Sequence, residues 1–374
     1  MKAVIRHISL RGYRRIVAIS DIHGQLDYLQ GLLQKVRFSA EDALVLVGDL
    51  TEKGPDSLGV VRYVMQLARG GNVFAVEGNC DDCRLQDLLA EGELSAMCSY
   101  MDFRLAHWQG HSILWEMCRE AQLTDLYYSD PAQCQRLLRQ RYQAEWAFLQ
   151  SLPVVLVSED CFFVHAALPR LSLDTLTVEE CIRAKAFHTQ AGPRFPKTCI
   201  VGHWPVVLYN SERLCDNPLY SAQRNLFSID GSCVLKEDGQ LNALIRNNAD
   251  GCWSFAAYDR FPLVRATDAQ PAGGDTACYQ WGDTQVELLE EQGEFVRCRH
   301  LSTGRELLIP ADWLYRDANG QLCCFDHTAY RLPVLPGDIL SLVRQTSRGC
   351  YVKKNGVCGW YDGGWQPLAP SAAH

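Results

Sequence analysis

Along the first half of the chain, short runs of apolar residues alternate with longer stretches in which apolar residues recur every three or four positions. Residues 16–20, 43–47 and 73–76 read as strands buried on both faces, and 26–36 and 57–68 between them repeat at helical spacing. The order is β-α-β-α-β, an α/β fold. From 84 to 150 the pattern is helical and polar-faced, interrupted at Gly92, Gly110 and Pro131, which predicts several helices inserted between strands and capping one edge. Strands resume at 154–157, 161–164, 198–201, 226–229 and 241–245, the last reached through the turn Glu237-Asp238-Gly239-Gln240. Residues 266–276, ATDAQPAGGDT, have the composition of a linker, dividing 1–265 from 277–374. Beyond it, short alternating runs separated by turns predict a small all-β module. Two of its pieces, beginning at Val286 and at Ile339, share the order strand, turn, strand, glycine turn, strand, a weak internal repeat.

Composition narrows the class. Of the 374 residues 47% are hydrophobic and 21% charged, enough apolar material for a sizeable core. The net charge of −8 argues against a broad, sequence-independent grip on nucleic-acid phosphates. The longest apolar run, 43–47, is five residues, far short of the roughly 20 needed to span a bilayer, and the N-terminal segment lacks the pattern of a cleaved leader. No membrane association and a cytoplasmic location are expected. The 17 cysteines are odd in number, irregularly spaced and often set in apolar runs, so they are expected to stay reduced.

Ligands of open α/β sheets sit at the carboxyl ends of strands, and there the sequence repeats itself chemically. Asp21-Ile22-His23-Gly24 follows 16–20, Gly48-Asp49 follows 43–47, Glu77-Gly78-Asn79 follows 73–76, His165 follows 161–164 and Gly202-His203 follows 198–201. Taken singly, Asp21 is an ordinary helix cap, Asn79 ordinary turn chemistry and a strand-end histidine an ordinary polar residue. Five strand ends carrying such residues together form a donor set for one or two divalent cations. Neither a G-x-S-x-G elbow nor a G-x-x-x-x-G-K-[ST] loop occurs.

The order D-x-H-G, G-D-x-x-x-x-G-P, G-N-x-[DE], V-H-A-x-L, V-G-H-x-P resembles that of calcineurin-like metallophosphoesterases over about 16–245, the S-I-D-G-S-C-V piece at Asp230 included. The resemblance implies a two-sheet αββα sandwich with a helical insertion at about 84–150. It makes Asp21 and His23 ligands of one metal, Asp49 the bridge, and Asn79, His165 and His203 ligands of the other, with manganese expected and iron, zinc or nickel as alternatives. The chemistry implied is hydrolysis of a phosphate ester by a metal-bridging hydroxide. Lys53 takes the place of the family's arginine and supplies charge to the phosphate, and Glu52 stands where the family has Asp. Within the family, V-G-H203-Trp204-Pro205 is similar to the phosphoprotein phosphatase branch and the related dinucleoside-tetraphosphate hydrolases. A phosphomonoesterase acting on phosphorylated protein or a small phosphate ester is the first expectation. The alternatives are a dinucleoside polyphosphate hydrolase, a phosphodiesterase, or a non-catalytic phosphate-recognition scaffold.

The sharpest departure is Cys80. The phosphatases carry there the histidine that pairs with the residue at the Glu52 position and protonates the leaving group; Cys80 is the candidate acid here, and packing is its bland reading. Cys80-Asp81-Asp82-Cys83 is a single C-x-x-C, weak as a zinc motif. Arg136, Arg139 and Arg141 with Tyr142 and Trp146 form a cluster that could touch an anionic substrate, and its bland reading is a solvated helix face. The C-terminal K-K-N-G-V-C-G-W-Y-D-G-G-W resembles bacterial SH3-like domains, which implies one or two small barrels, with Trp360, Tyr361 and Trp365 in the core, and a peptide or protein partner for the module. A chain ending near Arg265 is expected to keep activity on small substrates.

Overall fold

Apolar residues at every position of a strand demand cover on both faces, and the first half of the chain meets that demand by stacking two sheets. A computed structural model describes residues 1–81, 92–273 and 276–368. It divides into one unit of Met1–Pro205, Pro218–Val234 and Leu241–Tyr258, and a second of Val206–Asn217, Leu235–Gln240 and Asp259–His374. In the first unit the strands are β1 (Ile5–His7), β2 (Arg15–Ile19), β3 (Asp42–Val47), β4 (Val73–Val76), β5 (Val155–Val157), β6 (Cys161–Val164), β7 (Thr198–Val201), β8 (Leu219–Ser221), β9 (Leu226–Ser228), β10 (Leu241–Asn247) and β11 (Trp253–Tyr258). One sheet runs β1-β5-β6-β7-β9-β8 and the other β11-β10-β2-β3-β4. β2, β3 and β4 are parallel, with β10 and β11 antiparallel at the edge.

The alternation of side chains along each strand sorts the core into layers. Ile16, Ala18, Ala43, Val45 and Val47 pack between the sheets against Phe163, Ile200 and Phe227. Val17, Ile19, Leu44 and Leu46 point the other way, into helices α1 (Leu26–Lys35) and α2 (Ser57–Ala68). The outer face of the first sheet, Val155, Val157, Phe162, Val164 and Val201, is covered by Leu176, Ile182 and Phe195. The fold is therefore an αββα sandwich. Each fully buried leucine, isoleucine or valine contributes about 1.5–3 kcal/mol, so these layers hold the strand ends in fixed relation.

The insertion consists of helices Leu94–Trp108, Ile113–Glu120, Thr124–Ser129, Pro131–Arg141 and Gln143–Gln150, broken where Gln109 and Gly110 take positive φ and where Pro131 starts a helix capped by Asp130. Residues 84–91 of the expected insertion lie outside the described residues. Met97, Met101, Trp115, Leu138, Tyr142 and Trp146 join the core beneath β2 and β3, so the insertion belongs to the same packed body. Tyr142 and Trp146, expected on a solvated face, are buried there.

The second unit is antiparallel β. Its two sequence-repeated pieces each fold as a three-stranded meander, Val286–Gln292, Phe295–His300, Glu306–Pro310 and Ile339–Thr346, Gly349–Lys354, Val357–Tyr361, and each carries a register shift in its first strand, at Leu288/Glu290 and at Leu342/Arg344. The division of the chain differs from the expected one. Strand Leu263–Ala266 pairs with Ile339–Thr346 and with Trp365–Pro367, and Gln270 of the expected linker exchanges backbone bonds with Val334 while its amide bonds Leu332 and Trp360 carbonyls. Linker composition has here been recruited as an edge, because its amides and carbonyls find partners. Among the described residues no helix is long and apolar enough to cross a membrane, and the cysteines are free thiols.

Candidate metal centre

Three strands of the sandwich, β2, β3 and β7, end in loops that turn too sharply for ordinary backbone. Asp21, His23, Asp49, Glu52, Lys53 and His203 all have φ between +48° and +72°, a region that costs a residue with a Cβ about 1–3 kcal/mol and persists only where the surroundings enforce it. Adjacent glycines make room. A Cβ on Gly78 would meet Asp49 Oδ1 at 2.2 Å, and one on Gly202 would meet Asp21 Oδ2 at 2.2 Å.

These loops, with Asn79 after β4 and His165 after β6, bring the six strand-end side chains together. His165 Nε2 lies 3.2 Å from Asp49 Oδ1 and 3.0 Å from Asn79 Oδ1. His23 Nε2 lies 3.5 Å from Asp49 Oδ2. The rings of His165 and His203 meet edge-on with centroids 5.0 Å apart, and the backbone N–H of His203 donates to Asp21 Oδ2 at 3.0 Å. Lys53 Nζ stands 3.1 Å from His23 Nε2. Asp21, His23, Asp49 and His165 are almost wholly buried.

Hydrogen bonding fixes which ring nitrogens face the centre. His165 Nδ1 donates to the Val47 carbonyl at 2.9 Å, and His23 Nδ1 to the Thr51 carbonyl at 3.2 Å, so in each neutral ring Nε2 carries the lone pair. For His165 that lone pair faces two oxygens, an arrangement that is favourable only with a proton or a cation between them. Burial alone would lower His165, but the Asp49 carboxylate outweighs it and raises the imidazolium to about 10. Asp49 is correspondingly held well below the carboxylate range, against its burial, by His165, His23 and Lys53. Burial, aided by the neighbouring positive charges of Lys53 at His23 and of His165 at His203, lowers His23 and His203 to about 3 each. Burial and Asp49 raise Asp21 to about 6.

These donors fit divalent cations. Ligand atoms of Asp49, His165 and His203 lie within 4.8 Å of one another, as do those of His23, Asp49 and Cys80, and Asp49 belongs to both groups. Imidazole and carboxylate suit borderline and hard divalent ions. Of the expected residues, Lys53 stands beside His23. Glu52 is fully buried and meets Arg104, at 3.1 Å from its Nε, and Ile113 N–H. Cys80 is buried, its thiol pushed well up by burial and by Asp49, and its backbone N–H donates to Asp49 Oδ1. Asp81 of the C-x-x-C segment accepts from Leu50, Thr51 and Gly78 N–H groups; Asp82 and Cys83 lie outside the described residues.

Three charged residues near the centre had no role assigned from sequence. Asp230, just after β9, is buried, its Oδ2 meets no hydrogen-bond donor among the described residues, and burial and Asp21 raise it; its strand-end position was the available signal. Arg183 lies close enough to His203 to act on its charge, and Arg104 reaches Glu52 from the insertion. Neither arginine sits in a local motif.

A 64-residue stretch is 52% identical to "Bis(5'-nucleosyl)-tetraphosphatase, symmetrical" of Salmonella arizonae and 50% identical to that of Salmonella paratyphi B, covering 17% of this chain and 22% of each relative. The chain thus spans about a fifth of the length of the curated relatives it matches. A solved protein serine/threonine phosphatase from Saccharomyces cerevisiae superposes with a TM-score of 0.41 and 12% identity, over 69% of this chain and 83% of that one. The profile of the calcineurin-like phosphoesterases matches residues 14–215, more than half of the chain. The chain is therefore a member of the calcineurin-like phosphoesterases, hydrolases that act on phosphate esters.

Proposed function

We propose that this protein cleaves phosphate esters and anhydrides whose leaving groups depart as anions, with dinucleoside polyphosphates the best-fitting class. The observation that carries the reading is Cys80. A buried thiol has no second ring nitrogen through which a carboxylate could orient it as an acid, and the carboxylate that would orient an imidazole at this position, Glu52, is engaged by Arg104 and Ile113 N–H. A nucleotide leaving group needs no proton, whereas the alkoxide of phosphoserine does. The 64-residue stretch shared with the tetraphosphatases supports the same class. The phosphomonoester reading drawn from V-G-H-x-P ranks second, favoured for aryl esters only.

Asp21, His23 and Asp49 would hold one ion, and Asp49, Asn79, His165 and His203 the other. Such ions supply Lewis acidity toward the phosphoryl group and acidify water. The protein supplies the rest. The Lys53 ammonium, raised above its usual range by the acidic groups around it despite burial, offers a fixed positive charge to a non-bridging oxygen. The backbone N–H of Cys80 holds the Asp49 rotamer, and the Val47 and Thr51 carbonyls hold the two imidazoles in register.

The test is a substrate panel with manganese-supplemented full-length protein: a dinucleoside tetraphosphate, nitrophenyl phosphate, bis-nitrophenyl phosphate and a phosphoserine peptide. Turnover of the first two should exceed that of the peptide by about 10²-fold, the scale of general acid catalysis. Equal turnover of the phosphoserine peptide, or preference for the diester, would overturn the reading.

A further inference from the structure

His165 and His23 present their inward lone pairs to opposite company. His165 Nε2 looks onto oxygens, Asp49 Oδ1 at 3.2 Å and Asn79 Oδ1 at 3.0 Å, an arrangement that asks for a cation. His23 Nε2 already faces one. Lys53 Nζ lies 3.1 Å from it, with Asp49 Oδ2 at 3.5 Å on the other side. His23 Nδ1 is committed to the Thr51 carbonyl. An ammonium has donors only, so Lys53 bonds to the same lone pair that a metal ion would use.

The backbone holds Lys53 in this place. Glu52 and Lys53 take φ of 72° and 68°, and Lys53 N–H donates to the His111 carbonyl at 3.2 Å. Gly54 lies so close to His23 that a Cβ on it would meet the His23 carbonyl oxygen at 1.9 Å. Glu52, one residue earlier, is anchored by Arg104, by Ile113 N–H and, through its own N–H, by Ser57 Oγ. The lysine side chain therefore starts beside His23 whichever rotamer it adopts.

We propose that Lys53, bonded to the metal-facing nitrogen of His23, makes the two metal positions unequal: the ion on the His165 side binds tightly, and the ion on the His23 side binds less tightly and exchanges first. This rests on the division of donors given above. A ligand must offer a free lone pair, so an ion entering on the His23 side has to break the Lys53 hydrogen bond. It then shares a poorly solvated site with a compact positive charge, where like charges repel more strongly than in water. It also finds fewer donors, Asp21, His23 and Asp49 against Asp49, Asn79, His165 and His203. On the His165 side the neighbours of the lone pair are acceptors, and a cation there relieves their mutual repulsion. Turnover should therefore follow occupancy of the His23 side.

The experiment titrates metal-free full-length protein with manganese by calorimetry, with free manganese counted by electron paramagnetic resonance. Wild type should load in a pair of steps whose Kd values differ by about tenfold or more, the scale on which a neighbour outside the ligand set shifts metal affinity. Lys53→Met keeps the stem and removes the charge; the weaker step should tighten by about tenfold or more, and the tighter step should stay where it is. Lys53→Arg, which keeps the charge, should leave the weaker step weak. His23→Ala should erase the weaker step and spare the tighter one, and with the wild-type separation it decides the matter if Lys53→Met fails to fold. Steps of equal affinity in wild type, a weaker step that Lys53→Met leaves unchanged, or loss of the tighter step in His23→Ala would overturn the proposal. Failure of wild type to bind manganese at all would instead overturn the division of donors on which it rests.

Discussion

The backbone N–H of Cys80 donates to Asp49 Oδ1 at 2.8 Å, so the loop after β4 sets the rotamer of the carboxylate after β3. That carboxylate is shared by the two donor groups of the centre. Asp49→Asn preserves the acceptor and the shape but removes the charge facing His23 and His165. Dialysed protein should fall from about two bound metals per chain, the number a dinuclear site implies, to one or none, and nitrophenyl phosphate turnover should drop by at least about 10²-fold. Unchanged metal content and turnover would sink the assignment of this centre.

Asp81 fastens the same two loops from beneath. Its carboxylate accepts from Leu50, Thr51 and Gly78 N–H groups and from Thr51 Oγ1. Asp81→Ala leaves these donors buried and unpaired, at about 1–3 kcal/mol for each that water cannot reach. Urea unfolding should show a loss of about 3 kcal/mol or more, and a change below about 0.5 kcal/mol, the size of an ordinary surface substitution, would contradict the stapling role.

Cys80→His restores a titratable donor. Turnover of a phosphoserine peptide should rise by about tenfold or more, a part of what general acid catalysis can supply, while that of nitrophenyl phosphate changes little, because its leaving group needs no proton. A parallel fall on both substrates would mean that Cys80 has a role of its own or that the pocket rejects imidazole.

The strand-end residues were legible because a parallel strand turns its carboxyl end to the ligand side, so position along the chain already implies position in space. The layers were legible for a related reason: runs such as 43–47 admit only cover on both faces. What the sequence concealed is long-range. Arg104 reaches Glu52 across fifty-two positions from the helix Leu94–Trp108, whose sequence holds no local motif that points there. Trp146 and Tyr142 read as surface because arginines flank them, yet packing buries their rings. The segment at 266–276 reads as linker by composition alone, and only its pairing with 331–334 makes it structure.

Acid should weaken the first unit through Asp42. This carboxylate is buried at the start of β3 and accepts from Arg14, Arg15 and the Ser39 N–H. Burial would raise it, but the two guanidiniums hold it below its usual range. A depressed carboxylate stabilises the fold fully above its unfolded pKa of about 4, and the contribution is lost as pH falls through the lower folded value. Asp42→Asn should therefore cost about 2 kcal/mol at pH 7, the worth of hydrogen bonds to charged partners, and its difference from wild type should shrink on acidification below about pH 4. A constant difference between pH 7 and pH 3 would refute the linkage.

A chain ending at Arg265 should not behave as a free-standing phosphoesterase domain. The second unit takes in two earlier stretches, Val206–Asn217 and Leu235–Gln240. Cys358 N–H donates to the Leu214 carbonyl at 2.9 Å and Asp216 N–H to the Gly356 carbonyl at 3.1 Å, while Val207 and Leu214 are buried in one cluster with Tyr351 and Cys358. Lys236, paired with Asp238 at 3.1 Å and with Asp216 at 3.6 Å, is buried where Tyr351 hydroxyl also meets Asp238. Truncation strips Tyr351, Gly356 and Cys358 from these contacts. It uncovers apolar side chains worth about 1.5–3 kcal/mol each when buried and leaves strand Leu263–Ala266 without both of its neighbours. The shortened chain should express as aggregate, or melt at least about 10 °C below the full chain, since each 1 kcal/mol shifts a domain of this size by about 2–4 °C. A soluble product with undiminished melting temperature and turnover would show instead that the two interleaved stretches fold without their β partners.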